Sequence, residues 1–516
     1  MLAAALAAPG CQADSDFEDA LDFSGPVATR SSVTWYDNTH GELLVATPGA
    51  AELDLRRVPL GDDATRMLWS RATVDGDALL VLLGPASDKQ EDVEETLMIV
   101  PADGQGEVRE LDVLAPFTAV ALSPDGLRAV LYFGPTATTG GLHNANQVAI
   151  VDLVAGTARN LTLNGFGGQV RSVQFTNHGV EATAAVQVGP RQRELIAFLA
   201  EEELVLVDAA DETADQVSVT FRDTAGFAPT ETLLRVGNDM FDSPVLFVRG
   251  QAGSDVAMLT VVDKNDTATG NPGFSAQVSL LPVGDSATDF AAFDGVEAPY
   301  LVTAGAGSPG LWFTDIRTQA QFVVPLEGPV DSVVLRDEQT ALGPVRQAVA
   351  WAQGGNAVHT LRLDEIESAV GRAPERLDVE TGIEQLVLLD NDRALVGSGL
   401  VLYVVDFAKR QVTPLRSQVP YDAATSALAG DRLLLGTPGQ SWVSSVDLTT
   451  LNPESMILDD VISNFFYMPA SGKLVAIHPD AAGHLTVADA ADPSRAESYS
   501  VWGLALDGIF NPPSED

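Results

Sequence analysis

A short apolar run that ends on aspartate recurs along most of this chain, and its spacing constrains the fold more than any other feature. The run is typified by QVAIVD, residues 147–152. Eight aspartates close such runs: Asp152, Asp208, Asp263, Asp315, Asp364, Asp406, Asp447 and Asp489. Successive members are 41 to 56 residues apart, about 48 on average. A repeat of this length is typical of propellers and solenoids, in which each copy is one supersecondary unit.

Residues 117–163 show the content of one unit. They divide into four strands, FTAVALS, LRAVLYF, QVAIVDL and ARNLTL, with the turn PDG after the first. Each strand is short, apolar and bounded by turn residues, and helical periodicity is missing. One such sheet cannot bury both of its faces, whereas sheets stacked around an axis can. The sequence therefore predicts an all-β fold, a β-propeller of four-stranded antiparallel blades.

The number of blades and the closure of the ring follow less directly. Nine continuous units and one composite unit can be counted, although most propellers have about four to eight blades. We expect about eight blades, within a range of seven to ten, in one ring; two propellers are the alternative. The composite blade would take three strands from the N-terminal region and one, SVWGLALDG, from residues 500–508. Strands from both chain ends would then close the ring in one shared blade.

The recurring aspartates stand where a third strand turns toward a fourth. A carboxylate there can accept hydrogen bonds from backbone N–H groups of the turn, as an Asx-type cap. We therefore assign the repeat aspartates a structural role. A ring of carboxylates that binds cations is the alternative interpretation.

The N-terminal residues MLAAALAAPGC place the only cysteine, Cys11, after an apolar stretch and before an acidic one. This arrangement resembles the end of a bacterial lipoprotein signal peptide, in which the lipobox cysteine is acylated. Gly10 fits the pattern, Ala8 and Pro9 depart from it, and a missing basic region is explained if translation starts upstream. An incidental cysteine in an Ala-rich terminus is the alternative. The expected divisions are a partial signal peptide over residues 1–11, an acidic linker over 12–30, a propeller over 31–510 and a disordered tail over 511–516.

Charge excludes some classes of partner. The chain has 72 acidic and 29 basic residues, for a net charge of −43. Such a surface repels phosphate backbones and anionic lipid headgroups, so we expect no nucleic-acid binding and membrane contact through the lipid anchor only. A single cysteine also excludes an intramolecular disulfide and cysteine-based metal sites.

Catalytic motifs are missing from the sequence. The histidines lack the H-E-x-x-H spacing, and neither a G-x-S-x-G elbow nor a Walker loop is present. We expect no catalytic residue and no cofactor. The one candidate ligand loop is DKNDTATGNPG, in which Asp263, Asn265 and Asp266 could give oxygens to Ca²⁺. A polar β-turn is the alternative. The tryptophans in predicted strands are interpreted as inter-blade packing rather than as a sugar-binding platform: Trp69, Trp312, Trp351, Trp442 and Trp502.

The turn SPDG at residues 123–126, followed by a β-run, resembles the blades of TolB-like and other bacterial envelope propellers, including WD40-like and YVTN-type repeat proteins. A Trp-Asp pair, which closes true WD40 units, is missing. The resemblance implies an extracytoplasmic binding scaffold, lipid-anchored on the periplasmic face or the cell surface, whose partner is an envelope or extracellular protein. The alternatives are a hydrolase or lyase with a carboxylate or metal site in the central channel, and a passive structural protein.

Overall fold

Apolar strands separated by turns form ten four-stranded antiparallel sheets in the computed structural model of this protein. None of the described residues is helical, and so none forms a helix that could cross a membrane. The structure describes residues 23–501 except for 50–51, 62–63, 72–75, 85–94, 115, 136–143, 165–168, 176–193, 201–202, 210–214, 222–233, 238–244, 251–254, 266–271, 285–286, 296–297, 306–307, 341–342, 365, 369–371, 391, 399–400, 416–425, 430, 480–482 and 493–495.

Each sheet is built from four consecutive strands, and the sheets are numbered here as blades 1 to 10. Blades 1 to 5 contain β1 (Phe23–Ala28), β2 (Val33–Asp37), β3 (Glu42–Pro48) and β4 (Leu53–Pro59); β5 (Ala64–Arg71), β6 (Ala78–Gly84), β7 (Glu95–Pro101) and β8 (Arg109–Val113); β9 (Ala119–Leu122), β10 (Arg128–Tyr132), β11 (Gln147–Asp152) and β12 (Thr157–Thr162); β13 (Ser172–Phe175), β14 (Leu195–Leu199), β15 (Glu203–Asp208) and β16 (Val217–Thr220); β17 (Leu234–Gly237), β18 (Val245–Arg249), β19 (Asp255–Asn265) and β20 (Pro272–Pro282).

Blades 6 to 10 contain β21 (Ala287–Asp294), β22 (Pro299–Gly305), β23 (Gly310–Asp315) and β24 (Gln321–Pro325); β25 (Ser332–Thr340), β26 (Gly343–Trp351), β27 (Ala357–Arg362) and β28 (Glu375–Asp378); β29 (Gln385–Leu388), β30 (Arg393–Ser398), β31 (Val401–Asp406) and β32 (Gln411–Leu415); β33 (Ser426–Ala429), β34 (Arg432–Gly436), β35 (Trp442–Asp447) and β36 (Pro453–Ile457); β37 (Asn464–Met468), β38 (Lys473–Ile477), β39 (His484–Asp489) and β40 (Ala496–Ser500).

Burial differs among the four strands of a blade and so orients the blades in the ring. Second and third strands are mostly apolar and buried, and all seven residues of β6, for example, are buried. Fourth strands such as β4 and β36 are mostly exposed or half-buried. First strands are intermediate, and all four residues of β9 are half-buried. The fourth strands therefore form the outer rim, and the first strands lie nearest the axis.

Every blade shares an apolar core with the next, and the last core joins blade 10 to blade 1. Leu82 of blade 2 and Leu131 of blade 3, for example, belong to one such core. The closing core contains Trp35 of blade 1 together with Val475 and Leu485 of blade 10. Because the series of cores returns to its start, the sheets form one ring. The predicted propeller is confirmed, and it has ten blades rather than about eight.

The first blade is completed by an N-terminal strand, so the predicted closure through a shared blade is wrong. Strand β1 pairs with β2, with Phe23 opposite Asp37 and Ala28 opposite Val33. The sequence FSGPVA hides this strand because Gly and Pro are rare in strand interiors. Pro is nevertheless tolerated in an edge strand, where its missing N–H group is not needed.

Blade 10 is likewise complete in itself, and Ser500 is the last residue of β40. Residues 502–508, which were expected to supply the shared strand, lie outside the described residues. The seam between blades 10 and 1 is held by the closing core and by a hydrogen bond of 3.0 Å from the Ala470 N–H group to the Arg30 carbonyl oxygen.

The turns define two faces of the ring. The Asp face carries the turns from first to second and from third to fourth strands. The junction face carries the turns from second to third strands and the connections between blades. Two hairpins are longer than the rest, β19–β20 with eleven residues in each strand and β25–β26 with nine. Both turn on the Asp face and therefore extend that face.

Arginine side chains link neighbouring blades. Nη2 and Nη1 of Arg109 in blade 2 donate to the carbonyl oxygens of Leu153 and Val154 in blade 3, at 2.6 and 3.0 Å. Nη1 of Arg393 in blade 8 donates to the Leu448 carbonyl oxygen in blade 9 at 2.8 Å. Similar contacts to the next or preceding blade are made by Arg128, Arg159, Arg249, Arg336 and Arg410. Several of the basic residues, which are few in this chain, thus take part in contacts between blades.

Candidate functional site

The repeat aspartates hold turns on the Asp face. Oδ1 of Asp152 accepts hydrogen bonds from the backbone N–H groups of Val154 and Ala155, at 3.0 and 2.7 Å. The turn that follows a third strand donates to the same oxygen of Asp315, Asp406, Asp447 and Asp489. Because Arg128 stands opposite Asp152 in the sheet, its Nη1 also lies 3.1 Å from Asp152 Oδ2. These carboxylates are engaged inside their own blades.

The remaining repeat aspartates differ in detail. Asp208 is buried, and its carbonyl oxygen accepts a hydrogen bond of 2.7 Å from Arg159 of the preceding blade. Oδ2 of Asp364 accepts a hydrogen bond of 3.1 Å from Arg362. Asp263 lies inside β19, two residues before the strand ends, and not at a turn.

The candidate calcium loop coincides with the tip of the long β19–β20 hairpin. Asp263 and Asn265 are strand residues, whereas Asp266 lies outside the described residues, as does the predicted lipidation site Cys11. Within the described ranges, no three His, Cys, Asp or Glu side chains group in a way that could hold a metal ion. Calcium binding at this tip stays a prediction.

A chain of polar side chains in and beside blade 10 includes a buried histidine and reaches the surface at Ser498 and Asp459. Nδ1 of His478 lies 2.7 Å from the Val461 carbonyl oxygen, and Nε2 lies 2.8 Å from Thr486 Oγ1. The chain continues from Thr486 to Ser498, whose hydroxyl donates to Asp459. His478 is fully buried, and burial lowers the pKa of its imidazole. Both ring nitrogens are used internally, so the contacts of this histidine are structural.

The best candidate for a binding site is an open cavity at the inner edge of the junction face, between blades 7 and 8. We call it the 7/8 groove. Its volume is about 450 Å³, within the range of roughly 300–1,000 Å³ typical of small-ligand sites. It is lined by Ser332, Trp351, Gln353, Glu384, Gln385, Leu386 and Val387.

Backbone hydrogen bonds join the two segments that line the 7/8 groove, the end of blade 7 strand β26 with its turn and the chain that enters blade 8. The turn after Trp351 donates from the Gly354 N–H group to the Ile383 carbonyl oxygen at 2.8 Å, and the Ile383 N–H group returns a bond of 2.7 Å to Gly355. The chain that enters blade 8 is therefore fixed beside the end of β26. Glu384, which follows Ile383, is placed in the same cavity as Trp351.

The Asp331 carboxylate holds two residues that line the 7/8 groove, Gln353 and Ser332. It accepts two hydrogen bonds from the Gln353 N–H group, at 2.9 and 3.1 Å, and one of 2.8 Å from Ser332 Oγ. The backbone N–H group of Asp331 donates to the Trp351 carbonyl oxygen at 3.0 Å. Backbone positions at the end of β26 and in the turn after it are thus held before any ligand arrives, which lowers the cost of binding.

The 7/8 groove combines an aromatic wall, an apolar floor and a polar rim. Trp351 and Leu386 are both half-buried, and both pack against the core between blades 7 and 8. Glu384 and Gln385 are exposed at the rim. Such a surface can hold one flat or extended group and orient it with a few polar contacts. Trp351, which the sequence predicts to serve in inter-blade packing, both packs against this core and lines the cavity.

The fold and the groove define the class of this protein, a ten-bladed β-propeller with a candidate binding site at the inner edge of its junction face. No protein-family model and no curated protein matches the sequence.

Similar solved structures share little sequence with this chain. Dihydro-heme d1 dehydrogenase NirN in complex with DHE is 14% identical, with a TM-score of 0.42 over 70% of this chain and 71% of that chain. A eukaryotic initiation factor is 12% identical, with a TM-score of 0.42 over 93% and 96%. The Dos1 propeller is 12% identical, with a TM-score of 0.41 over 69% and 89%. At this level of similarity, the fold assignment rests on the sheets and shared cores.

Proposed function

We propose that this protein is an extracytoplasmic scaffold, anchored through lipid on Cys11, that holds a protein partner at the inner edge of its junction face. The observation that carries the proposal is the 7/8 groove. Trp351 is partly exposed in this cavity, and the backbone around it is held by hydrogen bonds. Half-buried aromatic side chains surrounded by polar groups are typical centres of protein interfaces.

Repeated sheets also take up most of the chain. Ten blades give a broad, rigid face, and five of the eight repeat carboxylates accept hydrogen bonds from turns. A rigid face of this kind can present a partner with little loss of conformational freedom on binding. These features support a binding role over a catalytic one.

Site-specific photo-crosslinking tests the binding role. A photoreactive amino acid replaces exposed Gln385 in the groove or, as a control, exposed Glu110 on the outer strand β8 of blade 2. Gln385 belongs to blade 8, and blade 2 is four places away in a ring of ten, so the control position is far from the groove. We expect a discrete cross-linked partner in cell-envelope preparations from position 385 only. Identical patterns from both positions, or none from either, would contradict the proposal.

Fractionation tests the anchor separately. The native protein is expected in the membrane fraction, and the Cys11→Ser variant is expected in the soluble fraction. A Cys11→Ser variant that stays with the membrane as completely as the native protein would refute lipidation at this residue.

A further inference from the structure

We infer that the 7/8 groove binds a positively charged side chain, and arginine in particular, from an extended segment of the partner. The inference rests on the proposed function for the identity of the partner as a protein. The chemistry of the site, however, can be tested with the purified chain alone.

The aromatic wall supplies the first part of the argument. A guanidinium or ammonium group over the face of tryptophan is attracted by the negative potential of the ring face, which is a cation–π interaction. Trp351 is half-buried, so its position is fixed by packing against the core between blades 7 and 8. Arginine is favoured over lysine because its planar group stacks on the indole ring and is more weakly hydrated.

The rim of the groove supplies the second part. Glu384 is exposed and carries the one full charge among the lining residues, and Gln353 and Gln385 add amide oxygens that accept hydrogen bonds. None of the lining residues is basic, so a cation entering the groove has no like charge to displace. The Asp331 carboxylate adds negative charge nearby, while its oxygens are already engaged by Gln353 and Ser332.

The charge of the whole molecule supplies the third part. Acidic residues outnumber basic ones by 72 to 29, and several arginines are held between blades. The potential around the ring is therefore negative, which attracts cationic segments and repels anionic ones. A neutral sugar could also stack on Trp351, but it would gain nothing from Glu384 or from this potential.

The test uses the purified full chain and three short peptides of the form acetyl-Gly-X-Gly-amide. X is arginine, lysine or citrulline, the last of which keeps the shape of arginine without its charge. Binding is measured by saturation-transfer NMR, which detects weak ligands. The variants are Glu384→Gln, which removes the groove charge, and Glu110→Gln, which makes the same change of net charge on the far side of the ring.

We expect the arginine peptide to bind the native chain and Glu110→Gln equally, and to bind Glu384→Gln about two- to fivefold more weakly, as for an exposed ion pair. Lysine should bind more weakly than arginine, and citrulline should bind least. Raising the NaCl concentration should reduce binding of both charged peptides.

Several results would overturn the inference. Citrulline could bind as well as arginine, no peptide could bind at all, or Glu384→Gln and Glu110→Gln could lose the same affinity. The last result would mean that the general field, and not the groove, attracts the peptide. If a partner cross-links from position 385 and Glu384→Gln leaves that capture unchanged, the inference fails while the proposed scaffold function stands.

Discussion

Nε of Arg128 in blade 3 lies 2.8 Å from Oε1 of Glu194 in blade 4, and both side chains are mostly buried, at 18% and 23% exposure. The same guanidinium also reaches Asp152 inside its own blade at 3.1 Å. One side chain therefore connects a third-strand turn to the neighbouring blade. Because these side chains are partly buried, the contacts of Arg128 stabilise the fold more than an exposed ion pair does.

The first prediction concerns this link. Arg128→Met should lower the free energy of unfolding by about 1–3 kcal/mol, because it leaves two partly buried carboxylates without their cation. Arg56→Met is the matched control, since Arg56 pairs with Asp54 on an exposed outer strand, where the cost is at most about 1 kcal/mol. Urea unfolding measures both. Equal losses in the two variants would show that the link between blades adds nothing.

The second prediction concerns the Asx-type turns. Oδ1 of Asp315 accepts hydrogen bonds from the backbone N–H groups of Arg317 and Thr318, at 2.8 and 3.1 Å. Asp315→Ala should cost about 1 kcal/mol, whereas Asp315→Asn keeps an acceptor oxygen and should cost less. Thermal unfolding of the two variants decides, and an Asn variant that is no better than Ala would contradict the cap.

The charge of Asp315 adds a dependence on pH. Burial acts to raise the pKa of this carboxyl, but the hydrogen bonds from Thr318 and Arg317 outweigh it and lower the pKa. Its charge therefore stabilises the fold above the ordinary pKa of aspartate, and the contribution is lost as the pH falls through the lowered value.

The third prediction compares two glycines with the same backbone conformation. Gly284 and Gly439 both have φ of +82°, where any other residue is strained. A Cβ atom at Gly284 would overlap the Trp312 ring, whereas a Cβ atom at Gly439 meets nothing within 4 Å. Both Ala variants should lose about 1 kcal/mol or more, and Gly284→Ala should lose a further 1–3 kcal/mol or so from overpacking. Similar melting temperatures for the two variants would refute the close approach of Trp312.

The fourth prediction concerns His478. Burial lowers its pKa below the ordinary value of 6.5, with its Val461 hydrogen bond opposing and the nearby His484 assisting. As the pH falls below 6.5, the unfolded chain binds a proton that the native protein does not bind. The free energy of unfolding should then fall by up to about 1.4 kcal/mol per pH unit until the native pKa is reached.

Comparison with a variant isolates this contribution, because the other titrating groups are common to both proteins. His478→Gln should unfold more easily at pH 7.5, and it should lose less additional stability than the native protein between pH 7.5 and 5.5. His359, whose pKa is also lowered by burial and by Arg376, keeps part of the dependence in the variant. Parallel curves of unfolding free energy against pH would exclude His478 as the cause.

The blades could be predicted from sequence because the signal repeats. QVAIVD in β11 and VLYVVD in β31 are the same element in two blades, and each unit carries its own strands and turns. Strand β1 was missed because Gly25 and Pro26 give it the composition of a linker. A single atypical strand has no copy in register to reveal it.

The groove could not be predicted for a different reason. Trp351 and Glu384 are separated by more than thirty residues, and they line one cavity because blades 7 and 8 share a core and because Gly354 and Gly355 bond to Ile383. The glycines after Trp351 do signal a turn. Their partner, however, belongs to the next blade, and sequence spacing does not show which loops meet across a junction.

Completeness of each blade has a consequence for how such a chain can change. Since none of the ten described sheets borrows a strand from the opposite end of the chain, a permuted gene that starts at β5 and places β1–β4 after β40 encodes the same ten sheets. Loss or duplication of one repeat would remove or add a whole sheet and leave the others intact, altering only the circumference. The architecture is therefore open to growth by unit copying, and ten sheets can be one stage in such a series.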